Sequence, residues 1–233
     1  MIQLVAETRS TNDDVAALAR SGAAEGLWLR AERQTGGRGR QGRDWVSPAG
    51  NLYASTLVRL RGDDPPAATL ALVAAVALHE AITAFAQGQP ITIKWPNDLL
   101  AGGAKLSGIL LERADDAVVI GFGVNLAHHP EGLDRPATSL ARLTGGAPDP
   151  HAFAETLAEC FARWLGRWRR EGLAPIRARW LLGAHPVGTA LSAEVKGTRV
   201  EGLFDGLDET GALRLRLADG THHVMHAGDV FLI

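Results

Sequence analysis

The segment KWPNDLLAGGAKLSGILLERADDAVVIGFGVN, residues 94–125, carries the clearest secondary-structure pattern in this 233-residue chain. Within it, the runs SGILLER and AVVIGFGVNL predict a pair of strands joined by an acidic turn at residues 114–116. Residues 91–95 (ITIKW) alternate apolar and polar side chains, which predicts a half-buried strand that Pro96 stops. The segment is therefore expected to form part of a sheet.

Strand and helix patterns alternate over most of the rest of the chain. Residues 27–34 and 51–60 predict strands, because they are rich in β-branched, aromatic and leucine side chains. Residues 67–86 are rich in alanine and leucine and end near a glycine, which predicts a helix. Residues 151–172 place apolar side chains at near-helical spacing, and the single cysteine, Cys160, is expected to be buried there. The alternation indicates a protein of mixed α/β type.

The pattern changes after residue 185. The remaining residues form short β-like runs separated by glycine-containing turns at residues 196–197, 205–206, 210–211 and 219–220. Such turns predict a small barrel or sandwich of about five strands. We therefore divide the chain into a first domain, residues 1–185, and a second domain, residues 186–233.

The composition argues against several classes of protein. A 46% share of hydrophobic residues is enough for a core, and a net charge of −2 does not suit a protein that coats nucleic acid. One cysteine rules out an intrachain disulfide. The N-terminus lacks a signal-peptide pattern, and His79 and Glu80 interrupt the most apolar segment, so no membrane span is expected. We expect a soluble cytoplasmic protein with neither a nucleic-acid nor a membrane partner.

An arginine-rich loop, TGGRGRQGRDW, spans residues 35–45. Its four glycines let backbone N–H groups approach a ligand, and its three arginines supply permanent cations whose planar groups suit phosphate and carboxylate. No Gly–Lys–Ser/Thr sequence follows, so it is not a P-loop, and its glycine spacing does not match a dinucleotide fingerprint. The loop predicts either an anion site or a flexible surface loop with solvated arginines.

Two shorter polar segments also have two interpretations each. Asp98 lies just beyond a predicted strand, where it could hold Mg²⁺, and Lys105 at the mouth of the next strand could reach a phosphoryl oxygen. Alternatively, residues 97–98 form an Asx turn and the lysine is solvated. Residues 10–12 (STN) precede a helical pattern, so they either cap a helix or form a cluster for a neutral polar ligand.

Taken together and in this order, the segments resemble those of biotin protein ligases. Residues 10–12 match the STN element of that family, residues 37–45 its GRGRxGRxW loop and residues 94–98 its KWPND signature. Residues 105–110 are similar to its KLxGIL element and residues 121–125 to its GxGxN strand end. The resemblance covers essentially the whole chain, and chance agreement of both long motifs is very improbable.

The resemblance implies an α+β fold, with a mixed β-sheet flanked by helices as in class II aminoacyl-tRNA synthetases and a small C-terminal SH3-like β-barrel. It also implies a reaction in which biotin and ATP, with Mg²⁺, give biotinyl-5′-AMP. Biotin then passes to one lysine of the biotin carboxyl carrier domain of a biotin-dependent carboxylase. Because the STN element starts at Ser10, we expect a ligase without the N-terminal DNA-binding domain and repressor activity of bifunctional members.

The same resemblance assigns expected roles to individual residues. The reacting oxygens would contact Lys105, and Asp98 would bind or orient Mg²⁺. The carboxylate and phosphates would be clamped by Arg38, Arg40 and Arg43, of which the last two are counted with Lys105 as catalytic. The remaining expected contacts are Ser10, Thr11, Asn12 and Gln34 on the biotin side, Trp45 and Asn125 on the nucleotide side, and Gly39 as a further ligand-binding residue.

The chemistry implied by the resemblance needs no protein nucleophile, because cations reduce the repulsion between two anionic reactants. A labile mixed anhydride needs protection from water, so the glycine-rich loop is expected to be poorly ordered without ligand and to close over the product. A lipoate ligase is the nearest alternative enzyme, and a nucleic-acid-binding module is the alternative outside the enzymes. A homodimer remains open.

Overall fold

In the computed structural model, residues 2–132, 135–195 and 198–233 are described. The elements of the predicted first domain, in chain order, are β1 (Ile2–Thr8), α1 (Thr11–Arg20), β2 (Trp28–Gln34), β3 (Leu52–Arg59), α2 (Leu70–Phe85), β4 (Ile91–Lys94), β5 (Asp98–Ala101), β6 (Ala104–Ala114), β7 (Ala117–Val124), α3 (Leu140–Thr144), α4 (Pro150–Glu171) and α5 (Ala174–Gly183). Those of the second are β8 (Ala190–Val195), β9 (Thr198–Leu207), β10 (Leu213–Arg216), β11 (His222–Met225) and β12 (Asp229–Leu232).

The larger sheet of the described chain has seven strands in the order β1-β2-β3-β7-β6-β5-β4. β1 and β2 are parallel, whereas the other neighbours are antiparallel, so the predicted mixed sheet is confirmed. β6 and β7 pair continuously from Ser107↔Val124 to Ala114↔Ala117. Asp115, in the predicted acidic turn between them, has φ 53°, a left-handed conformation that aspartate tolerates better than most side chains.

Helices cover both faces of this sheet. α1 packs on one face through Val15, against Leu29 of β2 and Leu57 of β3. α2 and α4 belong to the larger core on the other face, where Leu52 and Phe122 are buried. Because successive side chains of a strand point to opposite faces, β3 contributes to both cores.

The apolar helix α2 lies in the core. By length and composition the segment Ala67–Phe85 could cross a membrane, but two thirds of it are buried inside the fold. A helix that is apolar around its whole circumference is also what the centre of a domain requires. The prediction of a buried helix is confirmed, with the first turn, Ala67–Thr69, forming a 3₁₀ helix.

Helix α4 follows its predicted pattern closely. The side chain of Asp149 accepts hydrogen bonds from the N–H groups of His151 and Ala152 at 2.9 and 2.8 Å, which caps the helix. The apolar positions identified in the sequence are buried, and so is Cys160. Burial raises the pKa of the Cys160 thiol, as expected for a packed cysteine.

The second sheet has five antiparallel strands in the order β11-β10-β9-β8-β12 within the described residues, as predicted. The predicted turns at residues 210–211 and 219–220 join β9 to β10 and β10 to β11. The turn predicted at residues 205–206 is wrong, because both residues lie inside β9. Gly206 has φ +86° there, at a bulge where β9 has one residue more than β10. The turn predicted at residues 196–197 lies outside the described residues.

Several elements were missed from the sequence: β1, β5, α3 and α5. β5 is only four residues long and is stabilised by backbone hydrogen bonds to both β4 and β6. Such pairing cannot be recognised from the local sequence. The domain boundary predicted at residue 185 lies between the end of α5 and the start of β8, and it stays a prediction.

An ion-pair cluster around Arg169 ties the end of α4 to two connecting segments. Its guanidinium lies 2.5 Å from Oε1 of Glu25 and 3.0 Å from Oδ1 of Asp64, and it donates to the carbonyl oxygen of Arg59 at 2.9 Å. Only 12% of the Arg169 side chain is exposed. The hydrogen bond from Arg169 lowers the pKa of Glu25, although burial opposes the shift.

Replacing Arg169 by alanine should destabilise the fold, because two carboxylates then lose their common partner. We expect Arg169→Ala to lower the free energy of unfolding by roughly 2–4 kcal/mol, measured by urea denaturation. The neighbouring Arg170 is exposed and forms no ion pair with the described residues, so Arg170→Ala is the matched control. Equal losses in the two variants would show that the cluster does not stabilise the fold.

Candidate active site

A cleft of about 720 Å³ opens between the larger sheet and β12. The structure places every predicted site residue on its lining: Ser10, Thr11, Asn12, Gln34, Arg38, Gly39, Arg40, Arg43, Trp45, Asp98, Lys105 and Asn125. The described lining also has an excess of positive charge, with six basic and three acidic side chains: Arg38, Arg40, Arg43, Lys94, Lys105 and Arg135 against Asp44, Asp98 and Asp229. The cleft therefore favours an anionic ligand.

One end of the cleft is polar and uncharged, at the start of α1. Ser10 occupies the N-cap position, but its side chain makes no capping hydrogen bond. Gln34 of β2 instead accepts a hydrogen bond from the N–H of Thr11 at 2.9 Å. The capping role considered for the Ser10 hydroxyl is thus wrong, and this buried hydroxyl lies on the cleft wall.

Asn12 lies at the same end of the cleft, and both polar atoms of its side-chain amide form hydrogen bonds within the protein. Its Oδ1 accepts from the Ser55 hydroxyl at 2.7 Å, and its Nδ2 donates to Oε2 of Glu112 at 2.7 Å. A Cβ atom on Gly121 would lie 2.3 Å from Oδ1 of Asn12, so only glycine lets this side chain lie flat against β7. These contacts of Asn12 hold α1 against the sheet.

The arginine loop folds back on itself at its base. The N–H of Gly39 donates to the carbonyl of Arg43 at 2.7 Å, and the N–H of Trp45 donates to the carbonyl of Gly37 at 2.9 Å. Gln41 at the tip has φ 58° within a short 3₁₀ turn. The loop thus has a paired base and a tight, glycine-flanked tip.

The arginines of this loop contact different partners. Arg40 lies 3.3 Å from Oδ1 of Asp229 and donates to the carbonyl of Gly228 at 3.1 Å, and Arg43 pairs with the other oxygen of Asp229. Burial raises the pKa of Asp229, but the two arginines outweigh that effect and the pKa is lowered overall. Arg38 pairs elsewhere, with Asp13 and Glu112. The C-terminal sheet therefore supplies the counter-ion for the loop tip.

Two lysines share one carboxylate at the centre of the cleft. Nζ of Lys105 lies 2.7 Å from Oδ1 of Asp98, and Nζ of Lys94 lies 3.7 Å from Oδ2 of the same residue. Burial lowers the pKa of Lys94, with Asp98 acting against that shift. Lys94 was not predicted as a site residue, although it is the first residue of the KWPND signature. A pair of lysines on one carboxylate leaves positive charge for a ligand.

The packing of Trp45 accounts for the presence of glycine at the second glycine position of the GxGxN element. A Cβ atom on Gly123 would lie 2.6 Å from Cε2 of the Trp45 ring, so the ring packs directly on the β7 backbone. Nζ of Lys105 lies 5.5 Å from the ring centroid. The indole N–H is buried and has no hydrogen-bond partner among the described residues. Trp45 is thus held between β7 and the central lysine.

Asn125, which is expected on the nucleotide side, lies on the cleft wall and already forms hydrogen bonds within the protein. Its side-chain Nδ2 donates to the carbonyl oxygen of Thr138 at 3.0 Å, and its main-chain carbonyl accepts a hydrogen bond from the N–H of Leu140. The N–H of Lys105 donates to the carbonyl of Pro136 at 2.8 Å, and its carbonyl accepts from Thr138. These bonds fix the segment before α3 beside the central lysine.

The cleft offers few metal ligands. The described residues contain no group of three or more His, Cys, Asp or Glu side chains that could hold a metal ion. Asp98 is one carboxylate between two lysines. Because Mg²⁺ retains waters and often combines one or two carboxylates with substrate phosphates, this lining fits an ion carried by a triphosphate.

Comparisons with known protein families assign a class to this combination of a mixed sheet, a cationic cleft and a small antiparallel sheet. The sequence profile of the biotin/lipoate A/B protein ligase family matches residues 4–125, and that of the biotin protein ligase C-terminal domain matches residues 193–233. The chain belongs to the biotin/lipoate A/B protein ligase family.

Individual relatives agree along the whole chain. The biotin–[acetyl-CoA-carboxylase] ligase of Paracoccus denitrificans is 41% identical over 98% of this chain and 99% of the relative. The biotin protein ligase of Aquifex aeolicus in complex with biotin and ATP is 25% identical, with a TM-score of 0.89 over 100% of this chain and 99% of its own. The Leishmania major biotin protein ligase in complex with biotinyl-5-AMP is 26% identical, with a TM-score of 0.70 over 97% of this chain and 98% of its own.

The close approach of Asn12 to β7 gives a stability prediction. Gly121→Ala should force Asn12 away from the sheet and lower the free energy of unfolding by about 1–3 kcal/mol. A Cβ atom on Gly146 meets nothing within 4 Å, so Gly146→Ala is the control and should change stability by less than about 0.5 kcal/mol. Urea denaturation checks both, and equal effects would contradict the packing argument.

Proposed function

We propose that this chain is an ATP-dependent biotin protein ligase that transfers biotin to one lysine of a biotin carboxyl carrier domain. The observation that carries the proposal is one cleft that joins an uncharged polar end to a strongly basic centre. Biotin has a neutral polar ureido ring at one end and a carboxylate at the other, which matches that division. The names and bound ligands of the relatives described above support the same conclusion.

In the first step, a carboxylate oxygen of biotin attacks the α-phosphorus of ATP. A new P–O bond forms, the bond to the β-phosphate breaks, and pyrophosphate leaves. Both reactants are anions, so the main requirement is positive charge fixed near the transferring phosphoryl group. We assign this role to Lys105, with Arg40 and Arg43 drawn from Asp229 to the substrate oxygens.

In the second step, the amine of the carrier lysine attacks the acyl carbon of the adenylate. An amide bond forms, AMP leaves, and the amine loses a proton. The same basic centre stabilises the departing phosphate, so no covalent intermediate with the protein is needed.

The remaining contacts are proposed from position. Ser10, Thr11 and Gln34 bind the ureido ring, because they form the neutral end of the cleft. Trp45 packs against the adenylate, because its ring lies on the cleft lining beside Lys105. Mg²⁺ would neutralise charge on the triphosphate, and Asp98 would hold it directly or through water.

We further propose a cytoplasmic ligase that acts on a carboxylase carrier protein. The experiment is mass spectrometry of a carrier domain after incubation with this protein, biotin and MgATP, with lipoate and its carrier in parallel. Addition of biotin to a single lysine is expected. Transfer of lipoate alone would assign the lipoate branch of the family, and transfer of neither would refute the proposal.

Removing the central lysine should separate chemistry from binding. Lys105→Ala should lower the rate of adenylate formation by about 100-fold or more, because one preorganised cation is lost from the transition state. Biotin binding, measured by calorimetry, should weaken far less. Arg113→Ala, an exposed change on the same strand, is the control. Equal losses in rate and affinity would make Lys105 a binding residue only.

The arginine loop should tighten when both substrates bind. Substrate anions can replace Asp229 as partners of Arg40 and Arg43, so amide exchange of residues 36–44 should slow when biotin and ATP are added. The largest change is expected at residues 40–42, beyond the paired base of the loop. Hydrogen–deuterium exchange measures this, and equal protection with and without ligands would contradict the lid.

A further inference from the structure

Arg38 is already paired with two carboxylates. Its Nη1 and Nη2 donate to the two oxygens of Asp13 at 3.0 and 2.6 Å. Its Nε and Nη2 donate to Oε1 of Glu112 at 3.3 and 3.0 Å. All three nitrogens of the guanidinium therefore have anionic acceptors, and no edge of its planar fork is left for a phosphate.

The surroundings of Arg38 show what this arrangement holds in place. Arg38 forms an isolated antiparallel bridge with Asp44 at the base of the arginine loop. Asp13 lies in the first turn of α1, and Glu112 lies on β6. The side chain of Arg38 thus ties the loop base to a helix and a strand that are distant in sequence.

Glu112 extends this connection to the neutral end of the cleft. Its Oε2 accepts from Nδ2 of Asn12, whose Oδ1 in turn accepts from Ser55. Thr11 lies 2.7 Å from the same Ser55 hydroxyl and 3.2 Å from Oε1 of Gln34. One carboxylate therefore belongs to a polar network that reaches from the loop base to the residues proposed to bind the ureido ring.

We propose that Glu112 and Asp13 are positioning residues: they hold Arg38 as a bracket that fixes the base of the arginine loop on the sheet. Arg40 and Arg43, whose shared partner is the single carboxylate of Asp229, are then the loop cations that meet the substrate anions. Hydrogen bonds to Arg38 lower the pKa of Asp13, which keeps that carboxylate charged. The kinetic part of this inference rests on the proposed function, whereas the structural part does not.

The test compares Glu112→Gln, Asp13→Asn and Arg38→Met with the combination of Glu112→Gln and Arg38→Met. Glutamine keeps an acceptor for Asn12 but removes the charge opposite Arg38. In the ligand-free chain, amide exchange at residues 37–39 and 43–45 should accelerate by about tenfold in each single variant, whereas the β6–β7 ladder should not change. Arg167→Met and Glu171→Gln, at an exposed ion pair on α4, are the controls.

The kinetic measurements use pyrophosphate release with biotin and MgATP. Each single variant should raise the KM for biotin and the escape of adenylate by about five- to tenfold, with the KM for the carrier domain unchanged. The double variant should be no worse than Arg38→Met alone, because the two residues act as one unit.

The outcomes separate the two proposals. If the wild-type protein releases no pyrophosphate but amide exchange accelerates in the single variants as described, the proposed function is refuted and the bracket is supported. Active wild-type protein whose variants keep normal exchange and KM would overturn the bracket. The bracket would also be overturned if the effects of the two single substitutions on the KM for biotin multiplied in the double variant. The same holds if the variants have a lower free energy of unfolding but an unchanged KM for biotin.

Discussion

Repulsion between like charges is the constraint on which this site depends. Six basic side chains line one cleft in the described chain, and in a partly buried, low-dielectric region such charges repel one another strongly. The fold intersperses carboxylates among them. One carboxylate at the start of β5 lies between two lysines, one at the start of β12 lies between two loop arginines, and Arg38 lies between two carboxylates.

These ion pairs differ in what an incoming anion can displace. Among the described residues, the hydrogen bonds of Arg40 all come from Nη1 and those of Arg43 all come from Nη2, so each guanidinium keeps other N–H groups for a further acceptor. Arg38 has a carboxylate on every nitrogen and forms part of the scaffold. The proposed division of the loop into a fixed base and a responsive tip follows from this difference in hydrogen-bond capacity.

Close packing against β7 is the second requirement of the site. Gly121 admits the amide of Asn12, and Gly123 admits the ring of Trp45, at distances that no Cβ atom allows. The two glycines of the GxGxN element thus accommodate a side chain of α1 and a side chain of the arginine loop. These glycine positions could be identified in the sequence only by resemblance, because no local pattern indicates which side chain packs against a glycine of a strand.

The strands and helices with strong periodicity, α2, α4 and β6–β7 among them, were determined by the sequence itself, because apolar spacing and turn residues act over a few neighbours. The polar motifs that meet in the cleft could also be recognised in the sequence. Only the tertiary structure decided how their charges pair, because no local pattern indicates that Asp13, Glu112 or Asp229 is the partner of an arginine. Each acts on an arginine between 25 and 189 residues away along the chain, and such pairings depend on how the chain folds rather than on local pattern.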